Sequence, residues 1–385
     1  MEDSSGTVYL FRDLDTANGT ITETARLVHS LENRSIGGTR WRFGESVSLD
    51  GTTAVVGSPY ETIHSSEKGA AYVYQDLNSA SGLVQYDAIL LPSASETARY
   101  FGAATAMDGG IALIASESGN SFPHINGAVY VFKGVDQASG TNFEDARLLP
   151  SGQQPTQWEF QSVGGDRRAI ALDGARALIG ARNLGQEQLS GEAYLYLGLN
   201  SITGDQFESV RIFYSGGSRY MNFGWSVALR DDWMAISDPM RLDRETVFLL
   251  RVSAVTSIDL GYNSIRLDPL GFESRIDWVI GETTDQNEII IGGQSSATVV
   301  QPDKAIFIGK NAGSDDNRLL IGGDLTATTV VIGSPDGNSG NTLEILPYAD
   351  VEIGEIRIAP GNQLVVEGNY ADATELLAHL DNPTL

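Results

Sequence analysis

Short apolar runs of strand length alternate along this chain with polar, glycine-rich stretches, and their order recurs. An apolar strand opened by Phe43-Gly44 reaches a tight turn at Asp50-Gly51, and Ala54-Val55-Val56-Gly57-Ser58-Pro59 follows at once. After a polar loop come Gly69-Ala70-Ala71-Tyr72-Val73-Tyr74 and then Ala88-Ile89-Leu90-Leu91-Pro92-Ser93. The same order returns at Phe101-Gly102, Met107-Asp108-Gly109, Ala112-Leu113-Ile114 and Gly127-Ala128-Val129-Tyr130-Val131-Phe132. A third version surrounds Leu172-Asp173-Gly174 and Gly191-Glu192-Ala193-Tyr194-Leu195-Tyr196, and a fourth runs from Phe223-Gly224 to Thr246-Val247-Phe248-Leu249-Leu250. A period of roughly 55–65 residues with four short strands per unit predicts an all-β chain, a β-propeller with one blade per repeat.

The ends of the array bear on its closure. Gly6-Thr7-Val8-Tyr9-Leu10-Phe11 matches the third strand of a repeat, and Ala25-Arg26-Leu27-Val28-His29-Ser30 matches the fourth. An outer half-blade therefore stands first and needs an inner half from elsewhere. Asp277-Trp278-Val279-Ile280-Gly281-Glu282 and Glu288-Ile289-Ile290-Ile291-Gly292-Gly293 read as that inner hairpin, which predicts five blades with a closing blade shared by both ends. Closure would put residues 8–11 and 289–291 in one sheet and hide two open sheet edges. The propeller domain is accordingly 1–293.

Beyond it the pattern changes. Apolar strands ending in glycine recur as Ala305-Ile306-Phe307-Ile308-Gly309, Leu319-Leu320-Ile321-Gly322 and Val330-Val331-Ile332-Gly333, and Thr342-Leu343-Glu344-Ile345, Glu355-Ile356-Arg357-Ile358 and Gln363-Leu364-Val365-Val366 follow. Separations of roughly 10–13 residues, with Gly, Asn, Asp and Ser between, predict a β-solenoid-like domain over 294–385. An extra antiparallel sheet is the competing arrangement. Residues 372–380, opened by Asp372 with Glu375 three positions on, read as one short terminal helix capping the open end.

Composition narrows the partners. Fifty acidic residues against 25 basic ones give a formal net charge of −25. A field of that sign repels nucleic acid and anionic membranes and favours cations or basic partners, and it also simply keeps a protein soluble. Cysteine is absent, so neither disulfides nor thiolate metal ligation enters. No apolar run is long enough to span a bilayer, and Met1-Glu2-Asp3-Ser4-Ser5 lacks the regions of a signal peptide. The absence of cysteine fits a bacterial exported protein and a cytosolic one equally, and the expectation is a mature or recombinant fragment of something larger, with no membrane insertion and no nucleic-acid partner.

Phe-Gly, Asp-Gly, a strand ending Gly-Ser-Pro and Gly-Ala-x-Tyr-Val-Tyr/Phe together resemble the FG-GAP repeat of integrin α-chain propellers, and still more its variant in exported bacterial proteins. The resemblance covers roughly residues 6–270. The Gly-Ala-Pro element has drifted to Gly57-Ser58-Pro59, Ala115-Ser116-Glu117, Gly180-Ala181-Arg182 and Ser237-Asp238-Pro239. Integrin-type repeats commonly hold calcium in an acidic loop between the first two strands. Here that loop has shrunk to Asp50-Gly51, Asp108-Gly109-Gly110, Asp173-Gly174 and Arg230-Asp231-Asp232, too short to supply six to eight oxygens. No metal site carries over, and no cofactor is expected. Residues 294–370 are similar, in composition alone, to the glycine-punctuated solenoids of autotransporter-like surface proteins.

Catalytic patterns are nearly absent: there is no His-Glu-x-x-His motif and no phosphate-binding glycine loop in the needed setting. His64 and His124 fall in equivalent loops but lack a carboxylate trio, and Asp13-Leu14-Asp15-Thr16-Ala17-Asn18-Gly19 reads as a turn, like Asn78-Ser79-Ala80-Ser81-Gly82 and Asp136-Gln137-Ala138-Ser139-Gly140. One recurrence points to binding. Just ahead of each first strand stand Arg40-Trp41, Arg99-Tyr100, Gln157-Trp158 and Arg219-Tyr220. A ring of Arg40, Trp41, Arg99, Tyr100, Trp158, Arg219 and Tyr220 at one end of a propeller axis could stack sugar rings or grip carboxylates; the same pairs could instead lock neighbouring blades. The expectation is a non-catalytic extracellular or cell-surface protein for adhesion, binding or assembly, with a glycan or extracellular protein as ligand and self-association through the solenoid end. The alternatives are a polysaccharide-acting enzyme and a filament subunit.

Overall fold

Runs that are apolar on both faces become strands buried on both faces, and this separates the middle strands of each repeat from the outer ones. Thr53–Ser58 and Ala70–Tyr74 are buried at every position, whereas Ala88–Leu91 and Ala146–Leu149 alternate buried and half-buried. The computed structural model describes residues 6–29, 42–63, 66–67, 69–93, 99–117, 128–151, 169–181, 191–214, 222–239, 246–258, 263–267, 270–292 and 297–367. The described chain is all-β apart from a single-turn α-helix at Val252–Val255 and a 3-10 turn at Val135–Gln137. The terminal helix expected over 372–380 lies outside the described residues.

The chain packs as two units. One comprises Met1–Gln186, Tyr196–Glu208 and Gly224–Arg230; the other comprises Glu187–Leu195, Ser209–Phe223 and Asp231–Leu385.

In the first unit each complete repeat is a four-stranded antiparallel meander. Ser46–Asp50, Thr53–Ser58, Ala70–Tyr74 and Ala88–Leu91 form one, and Arg99–Asp108, Ile111–Glu117, Ala128–Lys133 and Ala146–Leu149 form the next. Asp-Gly closes each inner hairpin, with Gly51, Gly109 and Gly174 at φ of 55–56°. The sheets stack face to face. Val55, Ala71, Val73 and Leu90 of the earlier meander join Phe101, Ile114, Tyr130 and Phe132 of the later one in a single buried cluster. Each large side chain buried there contributes roughly 1.5–3 kcal/mol, the usual figure for full apolar burial.

A parallel edge strand in each sheet comes from the following repeat. Gly82–Gln85 leaves its own meander and pairs parallel with Ala25–Val28; Gly140–Phe143 does so with Ala88–Leu91, and Gly204–Phe207 with Ala146–Leu149. The segments read as simple turns from sequence are therefore turns that launch a strand, each from a glycine at φ of 63–66°. The Pro-Ser ends of the outer strands hold these guests. Ser93 donates its backbone N–H and its hydroxyl to Glu144, and Ser151 does the same to the buried Glu208. Tyrosines add a further tie: the Tyr74 hydroxyl donates to the Val28 carbonyl and that of Tyr196 to the Leu149 carbonyl, both at 2.9 Å.

The Phe-Gly motif is a sheet-to-sheet lock. Phe43 and Phe101 are buried, and their carbonyl oxygens lie against Gly6 and Gly69, each the glycine that opens a third strand in the sheet before. A Cβ at either glycine would fall within 3.0 Å of that oxygen. The Asp-Gly turns are linked too. The Asp50 carboxylate accepts the Gly109 N–H at 2.8 Å, and Asp108 accepts that of Gly174.

Glu192–Tyr196, whose residues to Leu195 belong to the second unit, pairs antiparallel with Val210–Tyr214, which pairs antiparallel with Leu270–Ser274, and Trp233–Asp238 forms a hairpin with Thr246–Arg251. The chain then changes to parallel pairing. Asn263–Arg266, Asn287–Ile291, Arg318–Ile321, Thr342–Ile345 and Gln363–Val366 make one ladder, while Ala297–Ile308, Asp324–Ile332 and Asp350–Ile358 make another, and from 287 onward the chain visits the two in turn. Among the described residues, to 367, these pairings are parallel and not those of the alternative antiparallel sheet. Like stacks on like in register: Ile289, Leu319 and Leu343 on one side, Ile306, Val330 and Ile356 on the other, all fully buried.

An asparagine column runs along the first ladder. Asn317 Oδ1 accepts from Asn287 N (3.0 Å) and Nδ2 (2.8 Å), Asn341 Oδ1 accepts from Asn317 N and Nδ2 (both 3.0 Å), and Asn362 Oδ1 accepts from Asn341 N (3.1 Å) and Nδ2 (2.8 Å). The steps are 30, 24 and 21 residues, so rungs of different length share one column. Gly281, Gly309 and Gly333 face the amides of Asn317, Asn341 and Asn362 so closely that any Cβ would overlap them, which is why these apolar strands end in glycine.

The expected closing blade is corrected here. Val8–Leu10 pairs antiparallel with Ala25–Val28, in a sheet completed by Gly82–Gln85. Asn287–Ile291 belongs to a separate, parallel ladder, and Trp278–Ile280 pairs parallel with Ala297–Ile308, so the two make no inner hairpin. The reason is the asparagine column: Asn287 is its first hydrogen-bonded amide, and in-register stacking of Ile289 and Ile291 on Leu319 and Ile321 commits the strand to the ladder. Parallel pairing thus reaches back to 257, where Ser257–Ile258 runs parallel with Trp278–Ile280, before the residue-294 boundary read from sequence.

Candidate functional site

The connection into the second meander carries a stack of side chains on one surface. Tyr60 follows directly on Gly57-Ser58-Pro59, and Tyr100 directly precedes Phe101-Gly102. Their rings lie 4.8 Å apart, tilted by 48°. On the Tyr60 ring sits the Arg42 guanidinium, its Cζ 4.4 Å from the centroid, with Arg42 Nη1 also 3.3 Å from Glu45 Oε1. Arg42 is exposed and both rings are half-buried, so the stack has a packed side and an open one. A guanidinium over a tyrosine face contributes roughly 0.5–1 kcal/mol at an exposed site.

Arg42 and Tyr100 share a backbone conformation. Each immediately precedes a Phe-Gly pair, and their φ values are 53° and 54°. Left-handed conformation at a bulky residue normally signals stored strain. Its recurrence at equivalent positions ties it to the lock, where the chain must turn sharply to drive the phenylalanine inward.

Of the ring of residues expected from sequence, Arg40, Trp41, Trp158, Arg219 and Tyr220 lie outside the described residues. Arg99 opens the strand Arg99–Asp108, opposite Glu117, just before a register shift. Tyr100 is the one whose side chain is placed. Its partners, Tyr60 and Arg42, were missed by matching repeats on the aromatic residue. Matching them on Phe-Gly pairs Arg42 with Tyr100 and with Asn222, and that alignment was available in the sequence.

A second cluster lies beneath. Glu61 is buried; its Oε1 accepts the Tyr72 hydroxyl at 2.6 Å and lies 3.3 Å from His29 Nε2. His29 meets the Tyr72 ring edge-on at 5.5 Å and Phe43 at 6.1 Å. Burial above all, and then the adjacent Glu61 charge, push the Tyr72 hydroxyl far above its ordinary range, so it stays protonated and donating. The Glu61 backbone is pinned as well, its N–H donating to Ser58 O and its carbonyl accepting from Gly69 N. Glu61 thus ties the loop between second and third strands into the core. His64, His124 and His379 lie outside the described residues.

Among the described residues no group of three or more His, Asp or Glu side chains could hold a metal ion, and no helix is long and apolar enough to cross a membrane. The turn carboxylates of Asp50 and Asp108 already accept backbone N–H groups of the next turn. Folding is therefore expected to be independent of calcium: thermal melts with and without a chelator should coincide, and a drop of about ten degrees or more on chelation, several kcal/mol of linked binding, would overturn this.

No curated protein matches the chain. Its residues 37–74, which contain the Phe43-Gly44 lock, the Asp50-Gly51 turn, Tyr60 and the third strand through Tyr74, match the family model of the FG-GAP repeat.

Proposed function

We propose that the chain is a non-catalytic binding protein of the cell exterior, built from FG-GAP-type propeller blades followed by a β-solenoid, and that it takes a carbohydrate ligand on the Arg42–Tyr60–Tyr100 surface. The carrying observation is the stack itself: two tyrosine rings 4.8 Å apart, half-buried and held from one side, beside an exposed guanidinium. Rings fixed in that way offer apolar faces to a sugar at little cost in side-chain entropy, and the guanidinium can donate to hydroxyls or a carboxylate. Support for the propeller comes from the stacked four-stranded meanders and the FG-GAP match over 37–74. Support for the solenoid comes from the two parallel ladders that the chain visits in turn.

A glycan array read with the intact chain and with Tyr60→Ala and Tyr100→Ala tests the reading. Each truncation should weaken binding by about 1–3 kcal/mol, as loss of a stacking platform does, while the thermal midpoint stays within a few degrees. Loss of stability of about 3 kcal/mol or more, with ligand affinity unchanged, would make the tyrosines packing residues and sink the proposal.

A further inference from the structure

Directly opposed residues in a sheet share a face, so a row read across the strands shows which side chains meet. One such row recurs. In the sheet of the second complete repeat Tyr130, Arg147 and Asp205 stand opposite one another, and the Asp205 carboxylate accepts from Arg147 Nε and Nη2 at 2.7 Å each. Tyr194, Arg211 and Glu273 of the second unit repeat the order, with Arg211 Nη2 2.7 Å from Glu273 Oε2. The first complete repeat has Ile89 in the place of the arginine.

The three-stranded first sheet carries the same row with its last member changed. Tyr9 stands opposite Arg26, and Arg26 opposite Leu83. Leu83 thus takes the place of the carboxylate. The guanidinium is held instead by Glu23, three residues back, with Nε donating to Glu23 Oε1 at 2.8 Å, and its Cζ lies 5.6 Å from the centroid of the Tyr9 ring. An open cavity of about 310 Å³ lies at this point, walled by residues 23–26 and by Gly82 and Leu83. Tyr9 and Leu83 are 52% and 60% exposed. All of these residues belong to the first unit.

We propose that this cavity is a second ligand site, and that it takes a neutral sugar ring against Leu83 and Tyr9 with its hydroxyls on Arg26 and Glu23. The charge pattern selects the ligand class. Glu23 and Arg26 neutralise each other, so no free charge is left to hold an ion, and the net charge of −25 opposes an anion further. What remains is a donor and an acceptor side by side, which is what neighbouring hydroxyls require. Two of the five N–H groups of Arg26 go to Glu23, and the rest can serve a ligand. The Arg26 hydrogen bond above all holds Glu23 below the usual carboxylate range, so it stays an acceptor at neutral pH. Leu83 and the tyrosine ring supply the apolar wall on which a sugar face rests. The volume lies at the small end of ligand cavities, which suits a single ring. The site shares no residue with the Arg42–Tyr60–Tyr100 stack.

Titration calorimetry of the full chain with cellotriose, maltotriose and mannotriose, and with trigalacturonate as the charged counterpart, tests this. At least one neutral trisaccharide should bind with a dissociation constant of about 1–10 mM, as a small open site gives. Leu83→Asp supplies the carboxylate that the other rows have, and it should weaken that binding at least ~10-fold while the thermal midpoint holds. If Leu83→Asp lowers the midpoint, Arg26→Gln decides, with the same loss expected. Tyr60→Ala should leave this binding intact. The chain lacks cysteine, so Leu83→Cys also reports access: iodoacetamide should modify it readily in the native protein. No binding of any neutral trisaccharide up to about 50 mM would overturn the proposal. So would tighter binding of trigalacturonate, unaltered binding in Leu83→Asp and Arg26→Gln, or a Leu83→Cys thiol closed to the reagent. Binding lost in Tyr60→Ala but kept in Leu83→Asp would overturn it as well, and would leave the Arg42–Tyr60–Tyr100 reading standing.

Discussion

Asn317→Ala is expected to destabilise the parallel ladders by about 3–5 kcal/mol, through several lost hydrogen bonds and newly buried unpaired groups. Asn317 is fully buried, in the middle of the asparagine column. Its Oδ1 serves both the backbone and the side-chain amide of Asn287, and its Nδ2 serves Asn341 Oδ1. Truncation removes three bonds and leaves the buried Asn287 backbone N–H without its partner. Asn317→Asp should also fail to restore stability, because it keeps the acceptor, loses the donor and buries a charge. The neighbouring Arg318 gives the contrast. Its guanidinium bridges Glu288 and Glu344 near the surface, and the Glu344 hydrogen bond chiefly raises its pKa, yet Arg318→Ala should cost at most about 1 kcal/mol, as exposed ion pairs do. Hydrogen exchange resolved over 287–366 is the measurement, since it localises the loss to the ladder. Protection unchanged in Asn317→Ala would mean that the column is ornamental to the fold and that apolar stacking alone holds the rungs.

Gly57→Ala is the second large effect, in the first unit. Gly57 sits in a fully buried strand, and a Cβ there would overlap the Gly102 carbonyl oxygen and the Ser46 hydroxyl. Ser46 Oγ donates to that same carbonyl at 2.8 Å, so neither group can withdraw without breaking the lock between sheets. Overpacking against backbone should cost about 3 kcal/mol or more, lowering the thermal midpoint by roughly 6–12 °C for a unit of this size. Gly51→Ala separates crowding from backbone conformation. Gly51 has a φ of 55° with nothing within 4 Å of its missing Cβ, so alanine there should cost only about 1–2 kcal/mol. If the two substitutions destabilise equally, close sheet contact is not what selects glycine at position 57.

The elements themselves were legible in the chain. Which face a strand side chain takes depends only on the two-residue period of an extended backbone, so the runs around Val55, Val73, Leu90 and Ile114 announce strands buried on one face or both without reference to any partner. Asp-Gly turns are equally local, since a glycine that can take positive φ is a requirement of the turn and not of the fold around it. Tertiary structure alone decided which strand lies beside which. Gly82–Gln85 follows a segment that reads as a simple turn, and it becomes a strand because Ala25–Val28 offers an edge more than fifty residues away. Asn287, Asn317, Asn341 and Asn362 read as turn residues until rungs of unequal length bring them into one column. Asn287–Ile291 looked equally fit for a hairpin in another sheet, because alternation specifies a face and leaves the neighbour open. The same holds at the candidate site: Arg42, Tyr60 and Tyr100 are far apart in sequence, and packing of one sheet on the next is what sets their rings and charge side by side. Pairing between distant segments is settled by competition among all the edges and faces the chain exposes, and that competition is a property of the whole folded chain.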